Sequence, residues 1–157
     1  MPFNYLQLVD ELFTKTYGPY AWSVHDEAPW AALTKPLAEC RVAMISTAAI
    51  YCNGETPLQS KNDPRVVRLP RQVPPQELTF AHTAPVRYVG ERDINCIFPL
   101  TRLLELETQG VIGEVAPWHF SITGQFYQRT KLLQLVTPEL AKQLAAQHTD
   151  LVLLLPL

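Results

Sequence analysis

The chain lacks a charge of one sign. Its 157 residues hold 13 Lys and Arg against 15 Asp and Glu, a formal net charge of −2. That balance excludes the basic field which nucleic acid or an anionic membrane surface would need. It also lacks any apolar run near the ~20 residues of a membrane-spanning helix. The opening MPFNYLQLVDEL has no basic segment ahead of an apolar stretch, so no secretory signal is expected and the cytoplasm is the expected location. Cysteine is scarce: Cys40, Cys52 and Cys96 form no CxxC and no zinc spacing. An odd count in a reducing compartment argues for free thiols. His25, His82, His119 and His148 are far apart and show no H-x-x-x-H spacing, so neither a metal site nor a cofactor is expected.

What is present describes one domain with a real core. The apolar fraction is 47% and the charged fraction 18%. The expected organisation is a single α/β domain over 1–157, with a helical segment at 1–39 and the main region at 40–157. Phe3, Leu6, Val9, Leu12 and Phe13 fall on one face of an amphipathic helix that Gly18-Pro19 stops. Trp22 and Trp30 flank Pro29 and read as packing residues. Cys40–Ile50 reads as a parallel strand covered on both faces, because Val42, Met44 and Ile45 form a compact apolar run. Carboxyl ends of parallel strands face the binding crevice, which places Ser46 and Thr47 near a ligand; their hydroxyls could equally cap the next turn.

Of the chain's fourteen prolines, six cluster at 57–85 and predict long ordered loops. In that stretch Arg68 sits between Val67 and Leu69, where an anion-reading arginine could point inward. Residues 78–82 read as a second strand ending in His82. Asp93 and Asn95 then open a turn, Pro99 falls near a first helical turn, and Ile97, Leu100, Leu103, Leu104 and Leu106 follow at helical spacing. Gly110 ends that helix. Residues 111–124 fit no single element. Thr137-Pro138-Glu139 reads as a helix start with Thr137 as cap. The run Leu151–Leu155 reads as another doubly covered parallel strand. An interior strand is normally followed by a covering helix. With three strands and no such helix, the expected fold is an open, mainly parallel sheet flanked by helices, in a shortened or partial form or one completed by another chain.

Together, C-R-V-A-M-I-S-T-A at 40–48, D-P-R-V-V-R-L-P at 63–70, His82, D-I-N-C-I-F-P-L-T-R-L at 93–103, G-V-I-G at 110–113, H-F-S-I-T-G at 119–124 and the strand at 150–156 carry a resemblance. The chain resembles the glycine/sarcosine/betaine/D-proline reductase selenoprotein B family and its short non-selenium relatives over residues 40–157. The resemblance implies reductive cleavage of a C–N bond in a small amino acid or betaine, with a selenocysteine or cysteine in the loop after a late strand like Leu151–Leu155. This sequence has no cysteine after Leu155. The family's nucleophile therefore has no counterpart here, although a soft nucleophile that also leaves well is what such chemistry requires.

Two functions follow as expectations. In the first, a reductase-like domain binds a small carboxylate or amino-acid-like substrate in a crevice lined by Ser46, Thr47, Arg68, His82, Asp93, Asn95, Arg102 and His119. Arg68 or Arg102 would fork to a carboxylate, and His82 or His119 would move protons. Cys52, beside a turn, and Cys96, at a helix start, are the candidate thiols. In the second, the scaffold is a non-catalytic binding or assembly module, with a protein partner or a homo-oligomer supplying what is absent.

Overall fold

In a computed structural model of the chain, the sheet grows from the apolar run Val42-Ala43-Met44-Ile45. The structure describes residues 11, 14–15, 26–27, 30–83 and 87–157. The chain divides into two compact units, Met1–Ala32 and Leu33–Leu157. The amphipathic helix expected at 3–17, Trp22 and His25 lie outside the described residues. Trp30, read from the sequence as a packing residue, is 88% exposed.

Within the second unit seven strands form, β1 (Arg41–Ser46), β2 (Ile50–Cys52), β3 (Val67–Pro70), β4 (Leu78–Phe80), β5 (Glu114–Val115), β6 (Trp118–Ser121) and β7 (Leu151–Leu155). β1 is buried from Val42 to Ser46 and is paired on both sides, as its unalternating apolar run requires. On one side it meets β5 and then β6, both parallel; on the other it meets β7, also parallel. Val42 pairs Val115 but Ile45 pairs Phe120. The β5–β6 side therefore carries extra chain at Ala116-Pro117, and Pro117 could not have donated to the ladder there. β3 closes the far edge antiparallel to β6. β2 and β4 form a separate antiparallel pair, so the strand expected at 78–82 exists but stands outside the main sheet. This is a small α/β fold whose central pairings are parallel.

Two helices cover the two faces. α1 (Leu100–Thr108) brings Leu100 and Leu103 onto Val42, Met44, Ile97 and Phe98. α2 (Thr137–Ala146) brings Leu140 onto Ile45, Phe120 and Ile122. Each fully buried large side chain, such as Phe98 or Phe120, contributes about 1.5–3 kcal/mol of transfer free energy. α1 ends as its sequence indicates. Gly110 takes φ +70°, the Gly110 N–H bonds Glu107 C=O, and the Val111 N–H bonds Leu106 C=O at 2.9 Å.

The start of α2 differs from expectation. Thr137 is already helical, and the chain enters from Arg129 through a π-helical stretch, Leu132–Val136. Pro138 has no N–H for the preceding turn, and a wider turn ahead of it absorbs that loss. Thr137 Oγ1 donates to Leu132 C=O at 3.0 Å instead of capping.

The last strand overturns a second expectation. β7 pairs only with β1 among the described residues, and Leu151, Leu153 and Leu154 are 37%, 40% and 66% exposed. Among the described residues it is an edge strand, not an interior one. The interior place went to β6, whose His, Ser and Trp content hid it from a hydrophobicity reading.

The proline-rich stretch is ordered around one buried carboxylate. Asp63 accepts from the N–H groups of Gln59 and Arg65 and from Arg65 Nε at 2.9 Å. Arg65 Nη2 then donates to Pro57 C=O at 2.6 Å. Burial raises the Asp63 carboxyl, but the Arg65 and backbone donors outweigh it and hold the carboxyl below its ordinary value.

Candidate functional site

The parallel strands end together at Ser46, Ser121 and Leu155. Ser46 is fully buried; its Oγ donates to Ile97 C=O at 3.2 Å and accepts from the Ala48 N–H. Ser121 Oγ accepts from the Ile50 N–H at 2.7 Å. Thr47 Oγ1 accepts from the Leu157 N–H at 2.8 Å, and Gly124 packs against both, where a Cβ would lie 2.7 Å from Thr47 O. The hydroxyls at the strand ends thus hold turns and chain ends. The Ser46–Ile97 bond ties this strand end to the turn after Asp93.

That turn gathers three of the candidates. Asp93 Oδ1 accepts from the Asn95 N–H and side-chain amide at 2.9 Å, capping a 3-10 turn, Ile94–Cys96. The Asn95 bonds, with Arg102 adding its charge, hold the Asp93 carboxyl below its ordinary value. Asn95 Oδ1 accepts from Thr101 Oγ1 at 2.5 Å. Arg102 itself is exposed and pairs with Glu105 at 2.9 Å. Cys96 is exposed on the same turn. His82 is buried just after β4, where the Ala81 N–H bonds Ala49 C=O.

His119 lies behind the sheet. It is fully buried on β6, its Nδ1 accepts the Met44 N–H at 3.0 Å, and the Phe98 ring meets it edge-on at 5.7 Å between centroids. Nε2 is buried without a partner among the described residues. Burial, with the Arg71 charge adding to it, pushes the imidazole down to about 4. It is neutral at physiological pH, with the proton on Nε2. Cys52, half-buried at the end of β2, has its thiol pushed up by burial and then by Glu55 and Glu77.

Arg68 is placed elsewhere, in a cleft on the α2 face. β3 sets Arg68 opposite Phe120, one step from Trp118, and its guanidinium stacks 4.1 Å from the centre of the Trp118 ring. No carboxylate pairs with Arg68 among the described residues. Trp118 is clamped in turn: Gln147 Oε1 accepts its backbone N–H at 3.1 Å, and Gln147 Nε2 donates to its C=O at 3.0 Å. Arg41 and Arg68 line this cleft of about 520 Å³ together with Glu139 and Gln143 of α2. Arg41 is already engaged, by Glu114 at 2.8 Å and by Gln147 C=O. Gln143 Nε2 donates to Glu139 at 2.7 Å, while its Oε1 is buried without a partner among the described residues. The cleft therefore offers one preorganised cation, unpaired among the described residues, and the carboxylate of Glu139.

The structure brings Asp93, Asn95 and Cys96 onto one turn, with Arg102 on the following helix near enough for its charge to act on Asp93, and Ser46 and Thr47 onto one strand end. Arg68 stands on the opposite face of the sheet from Ser46 and His119. The sequence singled out Arg68 as a ligand-reading residue; it marked Trp118 only as an interface candidate and Glu139 only as the acid of a helix start, and gave Gln143 and Gln147 no role. Their grouping depends on the β3–β6 register and on α2 lying over it, which no local pattern encodes. Among the described residues, no cluster of His, Cys, Asp and Glu could hold a metal ion, and no helix is long and apolar enough to cross a membrane.

Comparison with known proteins finds a distant relation. The chain is 26% identical over 125 residues to the D-proline reductase subunit gamma of Acetoanaerobium sticklandii, covering 80% of this chain and 52% of that protein. It thus spans about half the length of the relative it matches. No protein-family profile and no solved structure matches.

Proposed function

We propose that this chain is a reductase-related domain that binds a small carboxylate or amino-acid-like ligand in the cleft beside Trp118. One observation carries the reading: Arg68, held over an aromatic ring and unpaired, faces a cleft sized for a small molecule. A guanidinium fork fixed in place loses little entropy on meeting a carboxylate. The distant D-proline reductase relative supports a ligand of that class. The cysteines do not favour thiol chemistry in this chain. Cys40 is buried, Cys52 has a raised thiol, Cys96 is exposed on the turn after Asp93, and none of the three lines the cleft. The relative is named as a subunit, which supports a protein partner and fits a cytoplasmic setting.

The test is amide and indole NMR of the full chain titrated with acetate, glycine, betaine and each enantiomer of proline, with propylamine as the cation control. Carboxylates are expected to move the Trp118 indole signal at concentrations up to about 10 mM, and Arg68→Gln is expected to abolish the shift. No shift with any carboxylate, or an equal shift in Arg68→Gln, would sink the reading.

A second reading, an assembly module without catalysis, rests on the open edge of β7 and its exposed leucines.

A further inference from the structure

β7 has the sequence of a covered strand and, among the described residues, the position of an uncovered one. Natural sheet edges are blunted by lysine, proline, a bulge or inward charge. Leu151–Leu155 has none of these. The Thr47 N–H bonds Leu155 C=O, and Ile45 pairs Leu154. In a parallel ladder this register turns the backbone of Leu151, Leu153 and Leu155 toward β1. The N–H and C=O groups of Val152 and Leu154 then face the open side. Leucines project on both faces of the strand, and on the α2 side an apolar groove of about 450 Å³ runs between Leu140, Leu144 and Leu154.

We propose that a second copy of this chain completes the sheet, with β7 pairing antiparallel to β7 of the partner subunit about a two-fold axis at Leu153. A two-fold contact must be complementary to itself. β7 meets that condition on charge, because no ionised side chain lies between Leu151 and Leu157 to face its own copy. The one charge at its start, Asp150, is neutralised within the chain by Lys35 at 2.7 Å and by the Arg41 N–H. The condition is also met on backbone parity. Centred on Leu153, Val152 of one copy and Leu154 of the other exchange both hydrogen bonds on each side of the axis. The two Leu153 residues then form the close, non-hydrogen-bonded pair. The groove beside Leu154 receives apolar side chains from the second copy's strand. This inference is independent of the carboxylate cleft, which lies along β3 and β6.

The experiment is sedimentation equilibrium of the full chain from about 1 to 200 μM, the range in which a modest interface declares itself. The expected species is twice the 17.8 kDa chain. Leu153→Lys sets two ammonium groups face to face, and its dissociation constant is expected to rise at least about tenfold with the circular dichroism unchanged. If that variant fails to fold, Leu153→Cys in a Cys96→Ser background gives an independent reading. Two thiols at a non-hydrogen-bonded pair stand about 4.5 Å apart at Cα, within disulfide reach, so oxidation yields a covalent dimer. A wild-type monomer throughout the range, a dimer indifferent to Leu153→Lys, or no crosslink on oxidising the Leu153→Cys variant overturns the proposal.

Discussion

Acid should destabilise this fold through one residue, His119, well before its carboxylates are protonated. In the folded chain the imidazole sits near 4, pushed down by burial and then by Arg71. In the unfolded chain it returns to about 6.5. Between those values the unfolded chain binds a proton that the folded chain refuses, so stability rises with pH across that window. The contribution is fully present above about pH 6.5, has lost about 2 kcal/mol by pH 5, and about 3 kcal/mol by pH 4. Structure supplies the reason. Nδ1 already accepts the Met44 N–H, so a second ring proton would set two donors against each other beside Phe98. Against a typical total of about 5–15 kcal/mol, that loss is large. The assay is urea unfolding of wild type and His119→Asn, from about pH 7.5 down to 5. Asn keeps an acceptor near the Met44 N–H and removes the titration. Its cavity costs about 1–3 kcal/mol at every pH. Asp63, Asp93 and Asp150 also lose stability in acid, but they do so in both proteins and cancel in the difference. The gap between the two proteins is expected to narrow by about 2 kcal/mol over that range. Parallel curves would refute the assignment of the acid loss to His119.

Two further outcomes are expected. Gly113→Ala puts a Cβ 2.6 Å from the Glu39 carbonyl carbon and 2.9 Å from Cys40 N, all backbone with little room to give; the melting transition should fall by the equivalent of about 1–3 kcal/mol, and an unchanged transition would mean that the approach of 39–40 to β5 is looser than described. Thiol labelling near neutral pH should run in the order Cys96, Cys52, Cys40, following exposure and the raised Cys52 thiol; Cys52 reacting first, measured by mass spectrometry of tryptic peptides, would count against the description of its surroundings.

The sequence is legible where one local rule decides the outcome. Val42 to Ile45 has no alternation, so burial on both faces is readable, and Gly110 marks a helix end because a left-handed residue is needed there. The capped turn at Asp93 follows from its side chain alone. What stays hidden are decisions made between distant segments. β6 contains His119 and Ser121, polar groups that a strand interior tolerates only because the Met44 and Ile50 N–H groups pair with them. Nothing near residue 119 announces those partners. The start of the second helix eludes a local reading for the converse reason: Thr137-Pro138 has the chemistry of a cap, but Leu132 and Val136 upstream pack against Ile45, Phe120 and Ile122 and carry the helix through it.

The same distinction governs the candidate site. Residue types mark Arg68, His119 and Ser46 as chemistry-bearing, and each is held by a specific contact, to the Trp118 ring, the Met44 N–H and the Ile97 C=O respectively. The sheet then separates them. Side chains alternate across a strand, so neighbours in sequence on β6 serve opposite faces: Trp118 and Phe120 open toward α2, His119 and Ser121 toward α1. A crevice built from all the polar residues at once would require both faces to meet, which strand geometry forbids. Arg68 therefore works with whatever α2 presents to it, and here that is Glu139 and Gln143. A ligand held there would meet a cation and a carboxylate on the face away from the buried His119, so a proton needed in that cleft would come from Glu139, from His148, which also lines it, or from solvent.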